Sequence, residues 1–276
     1  MIGRRLFTAA LVAATVLALG FLLLPLVAIF LRVPPGDLIS QLGNDVVLDA
    51  IRVTLKATLI SQALILLIGT PAAYLIASRA FRGRALAITL VELPLVLPPA
   101  VAGIALLAAF GRLGLLGGTF EALGISISFT ATAVVLAVTY VASPFYVRQA
   151  IASFEALDQS LLDASRTLGA GPARTFLRIA IPLASRGLAA GAALSFARGI
   201  GEFGATIMFA GSLQGVTQTV SLAIYAQFDL NFDVALALGG LLILVSALVL
   251  FIVKLIPGWT RSTSTSLSPF ARFGSS

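Results

Sequence analysis

Two charged residues stand four positions apart inside an otherwise apolar stretch, Arg198 and Glu202. Residues four apart share one face of a helix, so the two side chains are expected to form an ion pair. A neutralised structural pair is one interpretation, because an unpaired charge inside a bilayer is costly. The other is that the surrounding glycines permit a bend at a gate, where Arg198 offers a positive potential to a passing anion.

Three prolines fall within six residues of a second apolar stretch, at Pro94, Pro98 and Pro99. Irregular backbone at membrane depth persists only against protein or beside a water-filled cavity, so this segment either lines a translocation path or forms a packing kink. Nearby Glu92 either finds a partner or reaches toward the membrane surface. We predict a path or gate that includes Pro94, Pro98, Pro99, Arg198, Glu202, Phe203 and Gly204.

Histidine and cysteine are both absent from the sequence. Their absence excludes imidazole-dependent catalysis, serine–histidine triads, thiolate chemistry and nearly every transition-metal site. A Walker A loop needs Gly-Lys, but the two lysines, Lys56 and Lys254, follow Leu55 and Val253, so the chain has no such loop for ATP hydrolysis. We predict no catalytic residue, no metal site and no cofactor bound by this chain.

The elements that position these residues are predicted to be membrane-spanning helices. Of the 276 residues, 59% are hydrophobic and 11% are charged, and the mean hydropathy is +1.07. A bilayer core of about 30 Å needs ~20 apolar residues in a helix, and the apolar windows lack the alternation of barrel strands. We therefore predict an all-α membrane protein with six spans: Leu6–Leu31, Leu55–Ser78, Ala85–Phe110, Phe129–Val147, Leu188–Ala210 and Val234–Ile256.

The basic residues predict the orientation of these spans. With both termini in the cytoplasm, most of the 18 arginines and lysines lie on the cytoplasmic side, as the positive-inside rule requires. Arg4-Arg5 resembles the start of a twin-arginine export signal, but the apolar run that follows is too long, so a retained first helix is predicted. Basic residues at the ends of apolar runs argue against nucleic-acid binding. The external basic residues are Arg32, Arg52, Lys56 and Arg112.

A long polar loop, residues 148–187, separates the fourth and fifth predicted spans and carries a helix–turn–helix pattern. Apolar residues recur at helical spacing from Ser160 to Leu168, and Gly169-Ala170-Gly171-Pro172 supplies a helix stop, a turn and a new helix start. A second helix is predicted over Ala173–Ile181. Pro182 is predicted to end that helix just before the fifth span.

This loop resembles the cytoplasmic loop of the transmembrane subunits of ABC importers, whose pattern is E-A-A-x3-G-x9-I-x-L-P. Here Asp163-Ala164-Ser165 is followed after three residues by Gly169 and after nine more by Ile179, and Ile181-Pro182 completes the pattern. The resemblance implies a coupling helix that docks into a groove of a separate ATPase. Its residues are Asp163, Ala164, Ser165, Leu168, Gly169, Ala170, Gly171, Ile179 and Pro182. An amphipathic helix on the lipid headgroups is the alternative.

Segments within the spans resemble the molybdate and sulfate permeases of this family. Leu93–Gly103 and Ser195–Thr206 carry the likeness, while Leu95–Pro99 and Thr217–Thr219 favour molybdate over sulfate. The resemblance implies a type I importer permease fold with a cytoplasmic coupling helix. Residues 1–52 would form the first helix and an external loop, residues 53–256 the permease domain, and residues 257–276 a disordered cytoplasmic tail.

The same resemblance implies partners for a permease in the plasma membrane. A separate ABC ATPase would use ATP and Mg²⁺, and an extracytoplasmic binding protein would deliver molybdate or tungstate. The permease would act as a dimer, which is a homodimer in molybdate systems and a heterodimer in sulfate systems; the sequence alone does not choose between them.

Four alternatives stay open at this point. The first is a sulfate or thiosulfate permease. An ion-coupled secondary transporter would need several midplane carboxylates, and only Glu92 and Glu202 are available. A membrane scaffold would leave the loop spacing unexplained, and an intramembrane enzyme lacks a recognisable nucleophile setting.

Overall fold

The computed structural model describes residues 2–32, 36, 40, 41 and 43–255, and all regular structure in this part of the chain is helical. The all-α prediction is therefore confirmed for the described residues. The predicted end of the sixth span at Ile256 and the predicted tail, residues 257–276, lie outside them.

The described part of the chain folds into a series of helices. They are α1 (Ile2–Arg32), α2 (Asp45–Ser78), α3 (Arg84–Val96), α4 (Pro99–Phe110), α5 (Gly117–Ala122), α6 (Ala131–Glu155), α7 (Gln159–Thr167), α8 (Pro172–Ile200), α9 (Gly204–Ala210), α10 (Val220–Phe228) and α11 (Phe232–Leu255).

Within the described residues, α1, α2, α6, α8 and α11 are each long and apolar enough to cross a bilayer. The pair α3 and α4 passes the same criterion together, but its two helices meet at a bend of 115°. Counted as one broken span, the pair brings the number of spans to six, as the sequence predicts.

The break between α3 and α4 follows from consecutive prolines. A residue that precedes proline is driven out of the α region into extended backbone. Leu97 precedes Pro98, and Pro98 precedes Pro99; both take extended angles, with ψ of 134° and 132°. Pro99 then occupies the first turn of α4, where a missing N–H costs nothing. Pro94 stays inside α3.

The predicted boundaries of the fifth span are wrong. The span is α8, which begins at Pro172 and ends at Ile200, rather than Leu188–Ala210. Pro182 does not end the preceding helix, because a π-helical turn, Phe176–Ala180, leads into it and the Ile181 amide donates to the Phe176 carbonyl five residues back. This wider turn accommodates the proline ring against the backbone before it, so the helix continues.

The core lies where α2, α6 and α8 pack together. One buried cluster surrounds Tyr146 and Phe154 on α6, and a second surrounds Val138 and Phe209, where α4 and α9 join α6. A hydrogen bond of 2.9 Å from the Ser195 hydroxyl to the side-chain carbonyl of Gln62 ties α8 to α2. By contrast, α1 touches α11 and leaves its apolar side chains exposed.

Candidate functional site

The first candidate site is α7 with the turn that follows it, and its start is fixed by a side-chain cap. A carboxylate oxygen of Asp158 accepts the Ser160 amide at 2.9 Å, which satisfies one of the free N–H groups at the helix start. Hydrogen bonds from the Ser160 hydroxyl and amide lower the pKa of the exposed Asp158 carboxyl. The carboxylate form is therefore the one that caps α7.

The end of α7 is a Schellman motif. The Gly169 amide donates to the Arg166 carbonyl and the Ala170 amide donates to the Ser165 carbonyl, each at 3.0 Å. The motif requires a left-handed residue, and Gly169 takes a φ of +81°. Gly171, with a φ of −66°, then begins α8 as its N-cap. The predicted helix and glycine turn are confirmed, whereas the second helix continues past its predicted end at Ile181.

One face of α7 is buried against the first turn of α8. Leu162 packs into the cluster around Phe154. The Ser165 hydroxyl donates to the Leu162 carbonyl at 2.7 Å and lies 3.1 Å from the hydroxyl of buried Thr175. These contacts fix the angle between α7 and α8.

The opposite face of α7 is free. Asp163 and Ala164 are exposed, Asp163 pairs with Arg166 at 2.9 Å, and Leu168 is 87% exposed. An exposed leucine beside small and charged residues on a rigid helix suits contact with another protein. Within the described residues, no group of three acidic side chains could hold a metal ion.

An aromatic cluster joins this loop to the bundle. The ring of Phe176 lies 4.7 Å from that of Tyr74 on α2, and Tyr74 lies 5.2 Å from Phe154 on α6. Half-buried Ile179 packs against the same cluster, whereas Pro182 is exposed. The loop is therefore packed directly against α2 and α6.

The second candidate site is the break between α8 and α9, where the predicted ion pair is found. A guanidinium nitrogen of Arg198 lies 2.6 Å from a carboxylate oxygen of Glu202, and Glu202 is 1% exposed. The contact is a charge pair without a well-directed hydrogen bond, since that oxygen has none. The other Glu202 oxygen accepts the Ala205 amide at 2.8 Å. Glu202 thus both neutralises Arg198 and caps α9.

Glycines bring α9 against the broken third span. A Cβ on Gly204 would lie 2.8 Å from Pro99, and a Cβ on Gly103 would lie 2.6 Å from the Ala205 carbonyl. The two backbones can meet this closely only because neither glycine has a side chain. Phe203 packs beside Tyr225 of α10, with ring centroids 5.3 Å apart and ring planes tilted by 52°.

The structure thus brings part of the predicted path together. Pro99, Glu202 and Gly204 meet at the contact of α4 with α9, and Arg198 joins them through Glu202. Pro98 lies at the bend and Pro94 lies one turn earlier. The path residues and the loop residues form separate sites, because Pro182 and Arg198 stand about 24 Å apart along α8.

Sequence reasoning missed two ion pairs that hold α3 against α6. The Glu92 carboxylate lies 3.0 Å from the Arg148 guanidinium, and Arg84 pairs with Glu155. Glu92 was expected to find a partner or to reach for the surface, and the structure supplies the partner. Arg148 could not be named from the sequence, because the two helices are joined by a long connection whose course the sequence does not reveal.

The turn that precedes α10 was also missed. Buried Thr217 accepts the Leu213 amide at 2.9 Å, and Thr54 of α2 accepts the Val220 amide at 2.8 Å. Gly211 and Gly215, with φ of +68° and +73°, provide its turns. The glycine spacing was the available signal, but it does not reveal that the threonines turn inward.

A helical membrane bundle with a rigid exposed helix–turn on one side and a broken pair of helices inside it has the architecture of a membrane permease. The chain belongs to the family of binding-protein-dependent transport system inner membrane components, whose model matches residues 65–261. It is a multi-pass inner-membrane permease subunit and not an ATPase. Permeases of this family work with a separate ATPase and a binding protein.

Two relatives and one solved structure illustrate the likeness. The molybdenum transport system permease protein ModB of Mycobacterium tuberculosis is 45% identical over 237 residues, 83% of this chain and 87% of the relative. The sulfate transport system permease protein CysW of Synechococcus elongatus is 36% identical over 208 residues, 74% of this chain and 73% of the relative. A bacterial alginate ABC transporter, crystallised with an alginate pentasaccharide-bound periplasmic protein, matches with a TM-score of 0.71 at 15% identity, covering 90% of this chain and 92% of that chain.

The predicted importer-permease family and fold are confirmed by these comparisons. The roles of individual residues stay predictions.

Proposed function

We propose that this chain is the permease subunit of an ATP-driven importer of a tetrahedral oxyanion, with molybdate or tungstate as its substrate. One observation supports the choice of substrate. The chain is more similar in sequence to a molybdenum permease than to a sulfate permease, and the similarity covers a larger share of the chain. The segments Leu95–Pro99 and Thr217–Thr219, which resemble molybdate permeases, support the same choice.

The exposed face of α7 is the proposed contact with the ATPase. Leu168 would supply the apolar contact, Asp163 the charge and Ala164 the close approach. ATP and Mg²⁺ are used by that separate subunit. Because the Schellman turn and the aromatic cluster make the loop rigid, closure of the ATPase moves α8 together with α2 and α6 as one body.

The contact between α4 and α9 is the proposed gate. Arg198 is 27% exposed whereas its partner Glu202 is buried, so the guanidinium faces the more open side of the pair. A passing oxyanion would interact with Arg198 without removing Glu202 from its cap on α9. The arginine thus lowers the barrier for an anion, and the glutamate prevents tight binding that would stop release.

The path itself is proposed to run between two copies of the chain. Side-chain clusters fill the described interior where α2, α6 and α8 meet, which leaves little room for an oxyanion within one bundle. The assembly is a homodimer with α7 and both termini in the cytoplasm. An extracytoplasmic binding protein delivers the anion from the other side and provides most of the selectivity.

A sulfate or thiosulfate importer is the second candidate, favoured by the likeness to the sulfate permease. Vesicles that contain this chain, its ATPase and its binding protein separate the two. We expect ATP-dependent accumulation of molybdate and tungstate, with sulfate at least tenfold less effective as a competitor. Accumulation of sulfate without molybdate would overturn the substrate, and uptake without nucleotide would overturn the class.

A further inference from the structure

A groove runs along the outside of the bundle between α2, the start of α6 and the turn at Gly215–Val216. Its volume is about 730 Å³. Two cationic side chains, Arg52 and Lys56, line one end. Aliphatic side chains line the rest, among them Ile60, Leu64, Val135 and Leu136.

The two cations are largely free of protein partners. The side chain of Arg52 is 77% exposed and reaches Asp49 only at 3.8 Å. Within the part of the chain that the structure describes, Lys56 takes part in no ion pair. Arg112, which lies on the same side of the bundle, is instead paired with Glu121 at 2.9 Å. The groove therefore combines two cations whose charge the protein leaves almost unbalanced.

The groove is charged at one end and apolar along the rest of its length. Lys56 and Leu64 are eight residues apart on α2, which is about 12 Å along the helix axis. Ile60, which lines this stretch of the groove, is 43% exposed. Exposed aliphatic residues at membrane depth contact hydrocarbon, so the apolar length opens toward the acyl chains of the bilayer.

We propose that this groove binds one anionic phospholipid, with its phosphate between Arg52 and Lys56 and an acyl chain along Ile60 and Leu64. Two neighbouring cations attract a phosphate by charge and by hydrogen bonding, and the aliphatic walls are suited to the acyl chain attached to it. A free oxyanion would match the two cations but gain nothing from the walls. The proposal is independent of which anion the permease transports.

The bound lipid would add a contact between the turn before α10 and α2, which already meet through the hydrogen bond from Gln214 to Asp49. The groove is closed on one side by Gly215 and Val216, which precede the buried threonines before α10. A lipid held there fills the space between that turn and α2. We therefore expect it to stabilise the segment that follows α9.

The test is lipid retention by the intact complex with its ATPase. The complex is purified in mild detergent from membranes that contain phosphatidylglycerol and phosphatidylethanolamine, and bound lipids are counted by native mass spectrometry. We expect the paired variant Arg52→Gln/Lys56→Gln to retain at least fivefold less phosphatidylglycerol than the unaltered complex. The matched control Arg32→Gln/Arg112→Gln removes the same charge outside the groove and should retain the normal amount.

A second pair of variants tests the apolar length without changing charge. Ile60→Trp places a larger side chain in the groove, whereas Leu59→Trp makes the same change on the neighbouring residue, which does not line it. We expect lipid loss from the first and none from the second. Equal retention in Arg52→Gln/Lys56→Gln and its control overturns the proposal.

Cross-linking identifies a protein occupant. The sequence contains no cysteine, so Ile60→Cys introduces a single thiol, and its cross-linking to a second copy or to the binding protein overturns the proposal as well. Since lipid retention is measured without transport, a failed proposal here leaves the molybdate assignment untouched, and the reverse also holds.

Discussion

Single residues determine the geometry of α7 and its turn. The cap at Asp158 and the Schellman turn at Gly169 satisfy backbone groups at the two ends of a helix that has only nine residues. Such a short helix gains little from its own hydrogen bonds, so its ends decide whether it keeps one shape. The side chains that would touch the ATPase depend on these ends for their positions.

Gly169→Ala should impair coupling while Gly171→Ala should not. An alanine at a φ of +81° is strained by about 1–2 kcal/mol, whereas Gly171 has a φ of −66° and open space around it. We expect a severalfold loss of molybdate-stimulated ATP hydrolysis by the reconstituted complex in the first variant alone. Equal activity of the two variants would contradict the proposed role of the turn.

Glu202→Gln should destabilise the protein, because it leaves Arg198 without its charge partner while keeping an acceptor for the Ala205 amide. Breaking a largely buried pair from one side costs a few kcal/mol. The double variant Arg198→Met/Glu202→Gln should recover most of the melting temperature lost in the single variant. Uptake should nevertheless stay low, because the cation has been removed.

The comparison of melting temperature with uptake separates two roles of the pair. If the double variant regains both properties, the pair is structural and Arg198 does not assist the anion. If it regains neither, Arg198 has a packing role that the charge argument does not include.

At the scale of secondary-structure elements, the sequence predicted which segments are helical better than it predicted where each helix begins, bends and ends. The six apolar windows and the bend at Pro98 follow from hydropathy and proline geometry, which are local properties. The continuation of α8 through Pro182 was not predictable in the same way. In the π-helical turn, the Ile181 amide donates to the carbonyl of the fifth preceding residue and not to that of the fourth. This change does not alter the spacing of hydrophobic residues. The proline therefore predicts a helix break when the sequence is considered alone.

Ala87, Ile88 and Val91 of α3 pack partly buried against the core, and two ion pairs with α6 add to this contact. Glu92→Arg should lower the melting temperature of the complex, because it places a second cation beside Arg148. The exchanged pair Glu92→Arg/Arg148→Glu should restore most of the loss. A melting temperature unaffected by Glu92→Arg would show that packing alone holds α3.

At the scale of the whole molecule, composition identified the bilayer as the solvent, and the loop spacing identified the family. Contacts between residues far apart in the chain could not be predicted from the sequence. The approach of Gly103 to Ala205 and the pairing of Glu92 with Arg148 depend on how helices distant in the chain lie beside one another, and no local pattern records that arrangement. Only the structure shows these contacts, which determine how the helices pack in the bundle.

The proposed orientation can be tested with single cysteines, since the chain has none of its own. In membranes prepared without the ATPase subunit, Ala164→Cys on the exposed face of α7 should react with a membrane-impermeant maleimide in inside-out vesicles and stay unlabelled in intact cells. Leu113→Cys, at a fully exposed position in the loop that precedes α6, should give the opposite pattern. Labelling of Ala164→Cys from outside would reverse the topology and remove the ATPase contact.

The π-helical turn at Phe176–Ala180 also sets the phase of α8. Each residue advances a helix by about 100°, so the single extra residue in the turn decides which way the Pro172 end of α8 points relative to its Ile200 end. Removing one residue there would keep both ends intact and rotate them against each other by roughly a quarter of a circle. The direction in which α7 is presented relative to the rest of α8 therefore depends on the number of residues in this turn.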